Sequence, residues 1–439
     1  MERTVGLVSL GCSKNRVDSE VMLGILTQHG YKVVADPVKA DVILVNTCGF
    51  IQSAKEESIE AILEMAQYKN GGRLKKLIVT GCLSQRYGQQ ICDDMPEVDA
   101  ILGVAEYQNL PEILEEAFRG ERPLRTGITS RFPDPDVPRL LTTPSHSAYV
   151  KISDGCDNRC AYCAIPLIRG GYQSRPAESI LKECRLLAAR GTTELTLIAQ
   201  DTSRYGSDIP GSPDLAELLT MVSEIEGVKW VRALYCYPDT VDDRLLTAIQ
   251  TLPKVCKYLD LPLQHINGEL LRQMNRRGSP EHIRELIKTC REKGILVRTT
   301  FIVGFPGETE EQFQELLDFV RWARFGRLGA FAYSPEEGTS AADMPDQIEE
   351  EVKQDRLDRL MLLQQEISLE LNKARIGETC EVLVESYEDG RYSGRSRLEA
   401  PEVDGVIRFK SRRTLKPGEY VRVKITGASH YDLSGEEDA

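Results

Sequence analysis

Gly155-Cys156-Asp157-Asn158-Arg159-Cys160-Ala161-Tyr162-Cys163 follows the strand-like run Tyr149-Val150-Lys151-Ile152-Ser153. The Cys-x3-Cys-x2-Cys spacing brings three thiolates within reach of one iron-sulfur cubane on a single loop, and leaves a fourth iron without a protein ligand. An iron left open in this way can bind a further molecule. A zinc knuckle needs a fourth ligand, and no His or additional Cys lies at ligand spacing nearby. Downstream, β-type runs at 194–199, 229–235, 256–261, 296–303 and 328–333 alternate with helical patterns at 178–190, 215–225, 242–249, 280–293 and 309–323. With the opening strand this makes six β/α units and predicts parallel strands whose carboxyl ends form a working rim.

Gln200-Asp201, Gln264-His265, the run Gly304-Phe305-Pro306-Gly307-Glu308 and Ser334-Pro335-Glu336-Glu337 fall on that rim. Gln200 and Asp201 are candidate cofactor or substrate contacts. Gly304 and Gly307 either admit a cofactor against bare backbone or serve the start of a helix, since Thr309 and Gln312 fit a capping box. His265 reads equally as an acid-base group or as a hydrogen-bonded structural residue.

Upstream, from residue 4 to about 119, apolar β-type runs again alternate with amphipathic helices, which predicts an open parallel sheet covered by helices. Cys12, Cys48 and Cys82 each follow one of these strands, in Leu10-Gly11-Cys12, Asn46-Thr47-Cys48-Gly49 and Thr80-Gly81-Cys82. Carboxyl ends of parallel strands line one edge, so the three are predicted to share a crevice and to hold a second cluster with one open iron. The bland alternative is three unrelated turn cysteines. The remaining six of the twelve cysteines, Cys92, Cys184, Cys236, Cys256, Cys290 and Cys380, stand alone and read as small buried apolar residues.

Residues 121–147 hold Pro123, Pro133, Pro135, Pro138 and Pro144 and read as an extended linker. A long amphipathic helix is predicted over 347–371, and after Gly377 four short β-like runs at 381–385, 390–396, 405–409 and 420–425 predict a small antiparallel barrel. The expected domains are therefore 1–120, a linker over 121–147, 148–375 and 376–439. The chain of 439 residues carries 55 basic and 68 acidic residues, a formal charge of -13, which gives no argument for a nucleic-acid partner. The last module, 376–439, has 10 Lys and Arg against 13 Asp and Glu, although Arg408, Lys410, Arg412, Arg413 and Lys416 group locally. No apolar run approaches the roughly 18 residues that span a bilayer, and the start from Met1 to Lys14 does not read as a signal peptide, so a cytoplasmic protein without a membrane partner is expected.

The cysteine loop and its six β/α units resemble the radical S-adenosylmethionine superfamily. That resemblance implies an incomplete (β/α)6 barrel and a 4Fe-4S cluster on Cys156, Cys160 and Cys163, whose open iron is chelated by S-adenosylmethionine. One electron then yields a 5'-deoxyadenosyl radical, and Tyr162 packs beside the adenine. The carboxyl-terminal module resembles the TRAM domain, a nucleic-acid-binding fold. In that order the three regions resemble the methylthiotransferases over essentially the whole chain, which implies an auxiliary 4Fe-4S cluster on Cys12, Cys48 and Cys82 that supplies or carries sulfur. Ser9-Leu10-Gly11-Cys12-Ser13-Lys14-Asn15 with Val17-Asp18-Ser19-Glu20, Asp260-Leu261-Pro262-Leu263-Gln264-His265 and Tyr431-Asp432-Leu433-Ser434-Gly435-Glu436 are similar to the RimO branch. That branch modifies the β-carbon of an aspartate in the decoding-centre protein of the small ribosomal subunit. A ribosomal-protein substrate and an electron donor protein are thereby implied. The alternatives are the tRNA adenosine methylthiotransferases, with RNA contact through the last domain, and an RNA-binding protein with structural metal sites.

Overall fold

The computed structural model describes residues 3–127, 132, 137 and 139–438. Its amino-terminal sheet is wholly parallel, in the order Lys32–Val33, Thr4–Ser9, Val42–Thr47, Lys76–Gly81, Ala100–Leu102, Leu124–Arg125. Val42–Thr47 is buried at every position, as a central parallel strand covered on both faces must be. Val42 and Leu44 enter the core on one face, Ile43 and Val45 the core on the other. From Thr4–Ser9 the chain first runs outward to Lys32–Val33 and then crosses back to Val42–Thr47. Such a reversal opens a crevice beyond the carboxyl ends of the two strands it separates.

Two parallel three-stranded sheets follow, Trp230–Ala233, Glu194–Ile198, Ser147–Lys151 and Tyr258–Asp260, Leu296–Val303, Arg327–Ala332. A bridge between Val231 and Val255 and the Cys236 N–H donating to the Asp260 carbonyl at 2.9 Å join them into one open six-stranded barrel. Alternate residues divide two cores. Ala148, Val150, Leu195 and Leu197 pack under the helices, whereas Tyr149, Ile198, Trp230 and Tyr258 form a separate group with Leu383 and Ala400 of the last domain. The predicted capping box of Thr309 and Gln312 is present. The long helix starts at Glu350 rather than 347, because the Gln347 side chain instead donates to the carbonyls of Ala341 and Met344, both at 3.0 Å.

The carboxyl-terminal barrel closes in the order Thr379–Glu388, Arg391–Arg395, Ile407–Lys410, Leu433–Glu437, Tyr420–Ala428. Ile407–Lys410 and Leu433–Glu437 run parallel, so this barrel is mixed rather than purely antiparallel. The fifth strand went unpredicted because Leu433-Ser434-Gly435 lacks the apolar alternation of the other four. The module plugs the amino end of the larger barrel through the first residues of three strands. Arg395 pairs with Glu194 at 2.6 Å, the Trp230 indole donates to Glu381 at 3.2 Å, and the Tyr258 hydroxyl donates to Asp404 at 2.7 Å.

The predicted linker is partly built into the domains it joins. Leu124–Arg125 is the sixth strand of the first sheet, and Arg139 is held by Glu20 and by Glu183 at 2.6 Å. Pro133, Pro135 and Pro138 lie outside the described residues. Among the described residues no helix is long and apolar enough to cross a membrane.

Candidate active site

Cys12 caps the helix Ser13–Gln28, Cys48 follows the strand Val42–Thr47, and Cys82 opens the helix Cys82–Asp94. The first two strand ends flank the reversal in the sheet, and the third is the next strand along. Asn15 ties their loops together, donating to the carbonyls of Leu10 at 3.2 Å and Thr47 at 2.9 Å and accepting from the Cys82 thiol at 3.5 Å. Nothing in the local sequence marks Asn15 for this task. Cys12 is exposed, Cys48 half-buried and Cys82 buried. Desolvation pushes the Cys82 thiol up to about 12 and raises that of Cys48. Desolvation also acts on Cys12, but the charges of Lys14 and Arg169 with N–H groups at the helix start overcome it and lower that thiol.

The second trio sits on the loop between the short strand Ser153–Asp154 and the helix Ile165–Arg169. Its path is pinned at several points. The Cys156 N–H donates to the Gly170 carbonyl at 3.1 Å, the Cys163 N–H to the Cys160 carbonyl at 3.0 Å and the Ala161 N–H to the Met274 carbonyl at 2.9 Å. Arg276 lies 3.9 Å from the Cys160 sulfur and 3.8 Å over the Tyr237 ring. Burial raises the Cys163 thiol and lifts that of Cys156 to about 11. Tyr162 is half-buried against Phe305, Tyr333 and Met274.

One buried polar network connects the two trios. Arg169 ends the helix that follows the second trio, yet its guanidinium lies 4.0 Å from the Cys82 sulfur and donates to Asn15 at 2.8 Å. It also pairs with Asp18 and Asp154, each at 3.0 Å, and Lys151 bridges the same two carboxylates at 2.6 and 3.0 Å. Asp154 immediately precedes Gly155-Cys156, so the network begins at one trio and ends at the other. On the opposite flank Glu336, from the predicted rim, accepts from Lys55 at 3.0 Å and Arg86 at 2.9 Å of the first domain. Asp18 and Glu20 thus act as seam residues, a task invisible in the sequence because their partners lie more than a hundred positions away.

The predicted rim residues divide by what they touch. Gln200 donates to Asp154 at 2.9 Å and keeps its buried Oε1 without a partner among the described residues, as do Gln264 at Oε1 and Tyr333 at its hydroxyl. Asp201 is engaged by Asn158 and Ser203, both at 2.8 Å. His265 is fully buried, accepts from the Asn267 N–H at Nδ1 (3.0 Å) and meets Glu308 through Nε2 (3.1 Å), which is the structural alternative. Glu308 also accepts from the Gly304 N–H at 2.6 Å and pairs with Arg356 at 2.7 Å. Gly304 adopts φ 71° and a side chain there would come within 2.3 Å of Lys353, so both backbone and packing ask for glycine. The Gly307 N–H donates to the Asp346 carbonyl at 2.9 Å.

Among the described residues no three His, Cys, Asp or Glu side chains gather about one point as a single ion requires. A cubane takes its thiolates on three different irons and spreads them wider. All-thiol donor sets suit iron-sulfur clusters, and the orphaned polar atoms of Gln200, Gln264 and Tyr333 suit a polar cofactor at the barrel mouth.

Residues 4–103 match the model of the uncharacterized protein family UPF0004, 150–320 the radical SAM superfamily and 376–437 the TRAM domain. A protein of Desulforamulus reducens named ribosomal protein uS12 methylthiotransferase RimO is 52% identical over 439 residues, covering 99% of each chain. Proteins of the same name from Heliobacterium modesticaldum (52%, 98% of this chain and 94% of the relative) and Clostridioides difficile (48%, 98% of both) are similar over their length. The solved radical S-adenosylmethionine methyltransferase TsrM of Kitasatospora setae shares the fold with TM-score 0.57 over 90% of this chain and 77% of its own, at 15% identity. Fold, site and relatives define a radical S-adenosylmethionine methylthiotransferase, which works with S-adenosylmethionine and a 4Fe-4S cluster. Two trios of cysteines at one interdomain crevice accompany that assignment. The chain belongs to the RimO family.

Proposed function

We propose that the chain replaces a hydrogen on the β-carbon of an aspartate in ribosomal protein uS12 with a methylthio group. In this reading Cys156, Cys160 and Cys163 hold the cluster that works with S-adenosylmethionine, and Cys12, Cys48 and Cys82 hold an auxiliary cluster. When bound, the first supplies the electron that opens the sulfonium for hydrogen abstraction, and the second supplies the sulfur. Tyr162, Gln200, Gly304 and Gly307 border the S-adenosylmethionine site in this reading. The observation that carries the reading is Arg169, which lies 4.0 Å from the Cys82 sulfur and pairs with Asp154, two residues before Cys156. Hydrogen abstraction and sulfur delivery are distinct tasks that must meet at one carbon, and rigid juxtaposition serves that need.

The residues themselves position and insulate. Lys151 and Arg169 neutralise Asp18 and Asp154 inside the seam, the last domain closes the far end of the barrel, and Glu336 locks the other flank. Acidic residues outnumber basic ones in the last domain, 13 to 10, and part of its local basic group is paired. Arg413 is held by Glu419 and Glu437 at 3.2 and 2.8 Å, and Arg408 faces Asp432 at 3.5 Å. An acidic chain of net charge -13 is electrostatically suited to a basic ribosomal protein. The test is mass spectrometry of uS12 and tRNA from a deletion strain. Loss of the methylthio group from uS12 with tRNA unchanged is expected. Loss from tRNA with uS12 intact contradicts the reading and returns the tRNA branch.

A further inference from the structure

Lys14 is only 7% exposed, and it lies two residues from Cys12 on the first domain's side of the crevice. Its ammonium rests 3.1 Å over the ring of Tyr235, which follows the barrel strand Trp230–Ala233 and adopts φ 68°. Among the described residues the Lys14 ammonium makes no salt bridge to a carboxylate and no side-chain hydrogen bond. The other cations of this seam are differently placed, since Lys151, Arg169, Lys55 and Arg86 each hold a carboxylate within 3.0 Å. With only the Cys12 thiolate as a neighbouring anion and a ring face beneath it, this ammonium keeps the capacity to receive a further anion.

We infer that Lys14 is the residue that selects the substrate, by pairing with the carboxylate of the target aspartate. The inference rests on the proposed uS12 activity and deepens it. The carboxyl carbon of aspartate is bonded directly to its β-carbon, so an ion pair at that carboxylate fixes the reacting carbon within one bond. Lys14 stands where this is useful, beside the Cys12 thiol on one side and the barrel rim at Tyr235 on the other. Arg169 is ill placed to take the role, because Asp18, Asp154 and Asn15 already occupy its guanidinium. An asparagine at the target position keeps the shape but lacks the charge. A buried ammonium rejects such a neutral partner, as a site built around one polar contact rejects the analogue that lacks it.

The test compares full-length uS12 carrying Asp or Asn at the target position, measuring equilibrium binding to the reconstituted enzyme and methylthiolation by mass spectrometry. Wild-type enzyme is expected to bind the Asp form at least tenfold more tightly. Lys14→Met and Lys14→Gln should bring that ratio close to one with iron and sulfide content unchanged, and Lys14→Arg should retain most of it. Equal binding of both forms by the wild-type enzyme overturns the inference without any variant. So does a variant that loses auxiliary iron but keeps the wild-type Asp/Asn ratio, which would make Lys14 a counter-charge to the cluster. If uS12 is bound and modified in neither form, the functional reading itself falls, a result distinct from indifference between Asp and Asn.

Discussion

The guanidinium of Arg169 lies 4.0 Å from the sulfur of Cys82, although 87 positions and a domain boundary separate them. The same side chain pairs with Asp154, two residues before Cys156, so one arginine spans the distance between the two thiol trios. Arg169→Met leaves Asp18 and Asp154 with Lys151 as their only cation among the described residues, and one buried carboxylate becomes uncompensated. Breaking a buried pair in this way costs about 3–5 kcal/mol. Urea unfolding should show a loss of that order, and Arg169→Lys should recover only part of it, because an ammonium does not reproduce the planar fork.

Gly81 sets where Cys82 begins its helix. It adopts φ 101°, and a β-carbon there would lie 2.3 Å from the Asn46 Oδ1 and 2.5 Å from the Thr47 carbonyl. Gly81→Ala therefore displaces backbone at a strained position, at a cost of about 1–3 kcal/mol. The reconstituted variant should lose auxiliary-cluster iron while still cleaving S-adenosylmethionine. Full occupancy of both clusters in Gly81→Ala would show that the position of Cys82 tolerates more movement than the packing allows.

The placement of the six cysteines was legible because strand ends and the Cys-x3-Cys-x2-Cys loop are local features of the sequence. The six barrel strands were legible because each lies in a β-type run of five to eight residues bounded by turn residues, even at Tyr258–Asp260, where the strand itself has three. Short partners such as Lys32–Val33 and Ala100–Leu102 were not, since two or three residues give no period to read. What joins the domains was hidden altogether. Asn15, Asp18, Arg169 and Arg395 look like ordinary helix and surface residues until the fold brings Cys82, Lys151, Asp154 and Glu194 to them. Gly304 illustrates the reverse case, a glycine whose visible task is to clear Lys353.

His146 makes the docking of the last domain sensitive to mild acid. It is buried, close to the Arg395–Glu194 pair, and its Nε2 has no hydrogen-bond partner among the described residues. Burial lowers its imidazole from the ordinary value of 6.5 more strongly than Glu385 and Glu194 raise it. The unfolded chain therefore binds this proton first as pH falls below 6.5, and stability declines from there towards the folded value. The slope is at most about 1.4 kcal/mol per pH unit. Unfolding midpoints measured from pH 7.5 to 5.5 should fall for the wild type and flatten for His146→Gln.

Arg395 holds the plug at the amino end of the barrel. Its two terminal nitrogens reach Glu194 at 3.0 and 2.6 Å, and Glu194 is fully buried. Arg395→Ala should weaken docking by about 3–5 kcal/mol and expose the boundary near residue 376 to limited proteolysis. A double change, Glu194→Gln with Arg395→Met, should restore part of the protection, because the pair goes as a unit while Arg232 and Glu385 each lose one partner.

A division of labour between the two thiol trios underlies the proposed function, and single-turnover assays on uS12 test it directly. Enzyme with Cys156, Cys160 and Cys163 all changed to Ala should form no 5'-deoxyadenosine from S-adenosylmethionine. Enzyme with Cys12, Cys48 and Cys82 all changed to Ala should still form it, yet leave uS12 without a methylthio group. Methylthiolated uS12 from the second variant would contradict the account.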